Sequence, residues 1–85
     1  MEVVVYGPGC SNCRRLEAQT RAALTAIGQE APVTKVTDLV AMAEAGVMRT
    51  PALAVNGAIL LQGRIPEVAE LSRIIAAALP PAADR

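Results

Sequence analysis

Both cysteines of the chain lie in one stretch, Tyr6-Gly7-Pro8-Gly9-Cys10-Ser11-Asn12-Cys13, separated by two residues. The apolar run Val3-Val4-Val5 before it predicts a buried strand, and the pattern after it predicts a helix. Cys10 is therefore expected at a helix N-terminus, where unpaired N–H groups and the helix dipole favour a thiolate. A Cys-x-x-Cys pair in that position can form, break and exchange a disulfide.

Other roles for the pair fit the sequence less well. A structural disulfide gains little stability from closing so short a loop. A structural zinc site needs about four ligands, whereas the chain has no His and no third cysteine. The missing His also excludes a Cys-His protease. Binding of a soft metal ion by the two thiolates and an inert pair are the remaining alternatives.

Length and composition indicate what kind of protein carries the cysteine pair. The 85 residues suffice for one compact domain, and 53% of them are hydrophobic, so a core can form. A formal net charge of zero, without a basic run, argues against a nucleic-acid partner. The start, Met1-Glu2-Val3, lacks the features of a signal peptide, and no apolar run is long enough for a membrane span. We therefore expect a cytoplasmic protein, where such a pair is catalytic or metal-binding rather than structural.

The first half of the chain predicts a strand, a helix, a strand and a short helix. Residues 2–6 form the first strand, and the helix that follows runs to about residue 27. Its apolar face consists of Cys13, Leu16, Thr20, Ala23, Leu24 and Ile27. Residues 33–37 are rich in β-branched side chains and predict the second strand. Thr37 or Asp38 then caps a short helix that ends near Gly46.

The second half predicts a hairpin and a final helix. Asn56-Gly57 between two apolar runs indicates a two-residue turn joining strands at 52–55 and 58–61. Pro66 fits the first turn of the last helix, and Pro80-Pro81 ends it. The apolar face of this helix consists of Val68, Leu71, Ile74, Ile75, Ala78 and Leu79.

The resulting order, βαβαββα, predicts an α/β fold with a four-stranded mixed sheet flanked by three helices. A strand–helix–strand unit places its two strands parallel, and the hairpin adds an antiparallel pair. We expect a single domain over residues 1–79 and a loose C-terminal tail over 80–85.

This order, with Cys-x-x-Cys at the first helix and Thr50-Pro51 before the third strand, resembles the thioredoxin fold. The chain is most similar to the minimal thioredoxin-like proteins of bacteria and archaea, of the redox-active disulfide type. The likeness covers roughly residues 2–79 and rests on residues 7–13, residues 49–57 and Gly63. The resemblance implies that Pro51 is cis and lies beside the cysteines, and that the main chain of Thr50 pairs with the substrate.

The resemblance also implies an activity, that of a thiol–disulfide oxidoreductase acting on protein or small-molecule disulfides. Cys10 would attack and Cys13 would resolve. The Cys10–Cys13 disulfide would be the only redox group, without a further cofactor or metal, and a thioredoxin-reductase-like flavoenzyme would supply electrons to a monomer. Further candidates are of two kinds. Ser11 and Asn12 are candidates for contact with the substrate, in addition to Thr50 and Pro51. The candidates for adjusting the reactivity of the site are Gly9, Tyr6 and Arg49.

The chain departs from thioredoxins at three points. Gly9 replaces the Trp before the first cysteine, Ser11-Asn12 replaces Gly-Pro, and Val3-Val4-Val5 lacks the buried Asp that relays protons. Proton transfer must therefore use water or another group.

Strand alternation alone leaves open which face Lys35 occupies. Four arginines are expected either to ring the cysteine end and lower the pKa of Cys10 or to be ordinary solvated charges: Arg14, Arg15, Arg49 and Arg64.

Two other functions remain open at this stage. Gly-x-x-Cys-x-x-Cys at a strand-to-helix turn also resembles heavy-metal-associated domains, which carry Cu(I) on two thiolates. Those domains, however, have the order βαββαβ and end on a strand. The third hypothesis is a non-catalytic thioredoxin-like module that docks to a larger protein.

Overall fold

The computed structural model of the chain describes residues 2–9 and 11–78. Its elements follow the predicted order: β1 (Val3–Tyr6), α1 (Ser11–Ala26), β2 (Val33–Val36), α2 (Leu39–Ala45), β3 (Ala52–Val55), β4 (Ala58–Gln62) and α3 (Val68–Ala78). Pro66 lies two residues before α3 rather than in its first turn, because the N–H of Leu71 bonds the carbonyl of Glu67 and so sets the helix start. Leu79 and the predicted tail over 80–85 lie outside the described residues.

The four strands form one mixed sheet in the order β2-β1-β3-β4, as predicted. β1 runs parallel to β2 and antiparallel to β3, and β3 pairs antiparallel with β4. The Asn56-Gly57 turn has both residues at positive φ, 53° and 85°, as a tight hairpin of this hand requires. Asn56 also fastens the turn to the start of β1, since its Oδ1 accepts from the Glu2 N–H at 2.8 Å.

The hairpin contains one irregularity. Ala54 pairs with Ile59, but Leu53 pairs with Leu61 and Ala52 with Gln62, so the register shifts by one between Leu53 and Ala54. β4 therefore carries an extra residue at this point, which is a β-bulge. The bulge brings Gln62 opposite Ala52.

The hydrophobic core lies between one face of the sheet, α1 and α3. Leu16, Leu53, Leu71 and Ile75 are fully buried there, and every strand contributes to the cluster. The predicted apolar faces of both helices are confirmed over the described residues. Asp38 caps α2 by accepting from the Val40 N–H at 2.9 Å, and Gly46 ends that helix in the left-handed conformation.

The same topology creates a junction at one edge of the sheet. Tyr6, the last residue of β1, pairs with Ala52, the first residue of antiparallel β3. The residues just beyond these ends, Gly7 and Pro51, therefore meet. Since α1 begins at Ser11, the second cysteine is brought to the same place.

Candidate functional site

Cys13 lies in the first turn of α1 and is buried, with 6% of its surface exposed. It shares the inward face of the helix with Leu16 and Thr20, which are fully buried. The predicted burial of Cys13 is therefore confirmed. Cys10 lies outside the described residues, so its expected role as the attacking thiolate stays a prediction.

Gly7 packs against both Cys13 and Pro51. Its N–H donates to the Val36 carbonyl at 2.9 Å, which continues the pairing of β1 with β2. A Cβ at this position would overlap Sγ of Cys13 and lie 3.9 Å from Cα of Pro51. The backbone of Gly7 does not adopt a positive φ, so glycine is needed here for space rather than for conformation.

Pro51 is buried, and the Thr50–Pro51 peptide bond is cis, as the resemblance implies. The Pro51 carbonyl accepts from the Gly63 N–H at 2.8 Å, which ties the start of β3 to the end of β4. Thr50 is exposed. Its main chain has no hydrogen-bond partner within residues 2–9 and 11–78, and it is therefore available to another chain.

A small pocket of about 150 Å³ opens beside the second cysteine. Cys13, Lys35 and Thr37 line it, together with Val5 and Arg14. This settles the question that strand alternation left open, because Lys35 contributes to the pocket of Cys13. Its Nζ lies 3.7 Å from Oε1 of Glu17, one helical turn beyond Cys13 on α1.

Glu17 is a site neighbour that the sequence analysis missed. Its Oε2 accepts from Nη2 of Arg21 at 2.6 Å and from Nε at 3.2 Å. The hydrogen bond from Arg21 lowers the pKa of the Glu17 carboxyl, and Lys35 lowers it further, while partial burial opposes both. The helical spacing could have indicated this neighbour, because Glu17 follows Cys13 by four residues and residues four apart share a helical face.

The four arginines make different contacts. Nη1 of Arg14 donates to the Gly9 carbonyl at 3.0 Å, which holds this side chain against the loop before the cysteines. Arg49 lies over Gly63, where an added Cβ would be 3.0 Å from its Cδ. Arg64 instead pairs with Glu70 of α3 at 3.0 Å. Arg15 is exposed.

The remaining sequence candidates lie at or near the turn from β1 to α1. Tyr6 is half-buried and in register with Val36 and Ala52. Ser11 and Asn12 are exposed in the first turn of α1. Gly9 adopts a φ of 90°, the left-handed region that glycine occupies readily.

Comparison with known proteins shows the family to which the chain belongs. Residues 1–76 match the family described as thioredoxin domain. The chain belongs to the thioredoxin family. It is 35% identical to a protein named thioredoxin from Methanothermobacter thermautotrophicus over 75 residues, which cover 88% of this chain and 97% of that protein. A second thioredoxin, from Methanocaldococcus jannaschii, is 34% identical over 67 residues, covering 79% of this chain and 77% of that protein.

The thioredoxin fold and the named relatives thus agree with the resemblance found in the sequence. Among the described residues, none of the helices combines the length and the apolar character needed to cross a membrane. The expected cytoplasmic location and monomeric state stay predictions.

Proposed function

We infer that this chain is a thiol–disulfide oxidoreductase that uses Cys10 and Cys13. The Cys10 thiolate attacks one sulfur of a partner disulfide, the S–S bond breaks, and the leaving thiolate takes a proton. Cys13 then loses its proton and attacks the Cys10 sulfur, which releases the second partner thiol. Two electrons pass to the partner, and the protein is left with a Cys10–Cys13 disulfide.

The position of Cys13 carries this proposal. Cys13 is buried, and its sulfur packs against Gly7 on the side where cis-Pro51 also lies. A bulky partner disulfide has little access to a sulfur buried in this way. The Cys-x-x-Cys spacing lets Cys13 attack the Cys10 sulfur in the second step. The burial therefore favours Cys13 as the resolving thiol and leaves the first attack to Cys10.

The substrate in this proposal is an extended segment of a disulfide-containing protein. The exposed main chain of Thr50 offers it a hydrogen-bonding edge, as in strand addition. Ser11 and Asn12, exposed in the first turn of α1, are the proposed contacts on the other side. A thioredoxin-reductase-like flavoenzyme is the proposed electron source, and no cofactor beyond the cysteine pair is required.

Trapping with matched cysteine variants tests the roles. Reduced Cys13→Ser should accumulate stable mixed disulfides on Cys10 when mixed with an oxidised protein substrate, and mass spectrometry should locate the link. Cys10→Ser should accumulate none under the same conditions. Adducts on Cys13 of the second variant, or none on either, would contradict the assignment.

The fold argues against the metal carrier, whereas a thioredoxin-like docking module would share it. The last element within the described residues is a helix, α3, unlike the final strand of the metal-carrier domains that share the cysteine spacing. A thiol count before and after mild reduction, with the metal content of the purified protein, separates the functions. Two thiols gained without metal support the oxidoreductase, bound copper supports a carrier, and cysteines that never exchange support a docking module.

A further inference from the structure

The amide side chain of Gln62 binds the segment that leads to the proposed substrate-binding residue. Its Oε1 accepts two backbone hydrogen bonds, from the Met48 N–H at 2.6 Å and from the Arg49 N–H at 2.9 Å. Two N–H donors require an oxygen between them, so the orientation of the amide follows from the geometry. Gln62 is half-buried, while Met48 and Arg49 are exposed.

The bulge in the hairpin explains how Gln62 reaches this segment. Without the extra residue, Leu61 would face Ala52, and Gln62 would lie opposite Pro51, just before the start of β3. With it, Gln62 lies opposite Ala52, and paired residues project to the same face of the sheet. The side chain is thereby placed on the face opposite to that of Leu53 and Leu61.

Gln62 and its neighbour fix the segment on both sides of Thr50. The Gln62 side chain holds residues 48 and 49, and the Gly63 N–H holds the Pro51 carbonyl at 2.8 Å. Residues 46–51 contain no helix or strand. The backbone of exposed Thr50 therefore lies between two sets of hydrogen bonds. One set is made by Gln62, the last residue of β4, and the other by Gly63, the next residue.

We propose that Gln62 is a positioning residue for substrate: it holds the main chain of Thr50 in the orientation that pairs with an extended peptide. This role rests on the proposed function. A fixed edge binds a peptide more tightly than a mobile one, because the ordering cost is already met. The role requires no contact between Gln62 and a cysteine, so the reactivity of Cys10 toward a small disulfide should be independent of Gln62.

Three variants test the role of Gln62. Gln62→Leu removes the acceptor at similar volume, and Gln62→Glu keeps an acceptor oxygen. Gln19→Leu is the matched control, because Nε2 of Gln19 also bonds a backbone group, the Pro66 carbonyl at 2.9 Å, away from the cysteines. Single-turnover reduction of a disulfide-bonded peptide is compared with that of a small aromatic disulfide, using prereduced protein.

For Gln62→Leu, the half-saturating peptide concentration should rise about tenfold, the effect of losing two ordinary hydrogen bonds, with little change in the limiting rate. Its reaction with the small disulfide should match the wild type. Gln62→Glu should restore peptide reduction, and Gln19→Leu should leave it at the wild-type value. Amide exchange at Met48 and Arg49 should accelerate in Gln62→Leu only, while thermal unfolding shows that the variant is folded.

The results separate this role from the proposed function. An active wild type with unchanged peptide kinetics in Gln62→Leu overturns the role of Gln62 alone. If Gln62→Leu reduces both disulfides equally poorly and Gln62→Glu does not restore the activity, Gln62 only stabilises the fold. That result also overturns the positioning role. A wild type that reduces neither disulfide overturns the proposed function and this role with it.

Discussion

The two ends of α1 take part in very different structures. Beyond its first turn, Leu16, Ala23 and Leu24 pack into an aliphatic core with α3 and the sheet. At its start, Cys13 lies beside a glycine, a cis-proline and a pocket lined by Lys35. One helix thus connects a region held by many apolar contacts to one held by a few hydrogen bonds.

The difference indicates how each region should respond to change. Apolar packing is additive over many weak contacts, so its loss at one position costs stability in proportion to the volume removed. The cysteine region depends on single groups, such as the N–H of Gly7 and the amide of Gln62. Substitutions there should alter chemistry more than they alter stability.

Removing a core side chain should have the largest effect on stability. Leu71 of α3 is fully buried, and Leu71→Ala should lower the free energy of unfolding by about 2–5 kcal/mol. Leu39→Ala is the control, because 69% of Leu39 is exposed, and it should change little. Denaturant unfolding measures both, and an equal midpoint for wild type and Leu71→Ala would show that α3 is not part of the core.

Filling the space at Gly7 should affect both stability and the site. Gly7→Ala places a methyl group against Sγ of Cys13, and overpacking of this kind costs about 1–3 kcal/mol. Resolution of the mixed disulfide should slow as well, because Cys13 must shift. Gly28→Ala is the control: among the described residues its Cβ would meet no atom within 4 Å, but the residue is strained at a φ of 74°. It should lose stability while keeping normal disulfide exchange, and the same kinetics in both variants would contradict the role given to Gly7.

A polar group within the core should give a change of the opposite sign. Oγ1 of Thr20 is buried and has no hydrogen-bond partner within residues 2–9 and 11–78, whereas Oγ1 of Thr25 donates to the Arg21 carbonyl at 3.1 Å. Thr20→Val removes the unpaired hydroxyl and should raise the free energy of unfolding by up to about 1 kcal/mol. The identical change at exposed Thr25 should not raise it. A destabilised Thr20→Val variant would show that the hydroxyl is bonded in solution.

The smallest expected effect is the pH dependence from Glu17. Because Arg21 lowers the pKa of this carboxyl in the folded protein, its ionised form contributes stability above the ordinary glutamate range, and this is lost as the pH falls through the lowered value. Glu17→Gln should cost about 0.5 kcal/mol at neutral pH, the size of a helical ion pair. The difference from wild type should vanish in acid. Glu30→Gln, in an exposed loop, serves as the control, and a difference that persists at low pH would exclude the charge as its cause.

Much of the fold follows from local signals in the sequence. Asn56-Gly57 fixes a hairpin because both residues tolerate positive φ, and the apolar spacing from Cys13 to Leu24 defines the buried face of α1. Cys13 was correctly placed on that face for the same reason. These predictions succeed because each depends on neighbours in the chain.

The missed features depend on contacts between distant segments. No local sequence pattern indicates the extra residue in β4. The hydrogen bonds that Gln62 accepts from residues 48 and 49 could therefore not be predicted. Gly7 has an ordinary backbone conformation, and its need for glycine arises only from Cys13 and Pro51 packing around it. The face of Lys35 likewise required the register of β2 against β1.

Tyr6 gives the molecule an optical property. It is the only aromatic residue of the chain, which has neither Trp nor Phe, and it ends the strand that leads into Gly7. Tyrosine fluorescence, which in most proteins averages over many rings, here comes from one ring at one junction. An emission spectrum of the unlabelled protein therefore reads out the surroundings of the cysteine loop, without contribution from the aliphatic core.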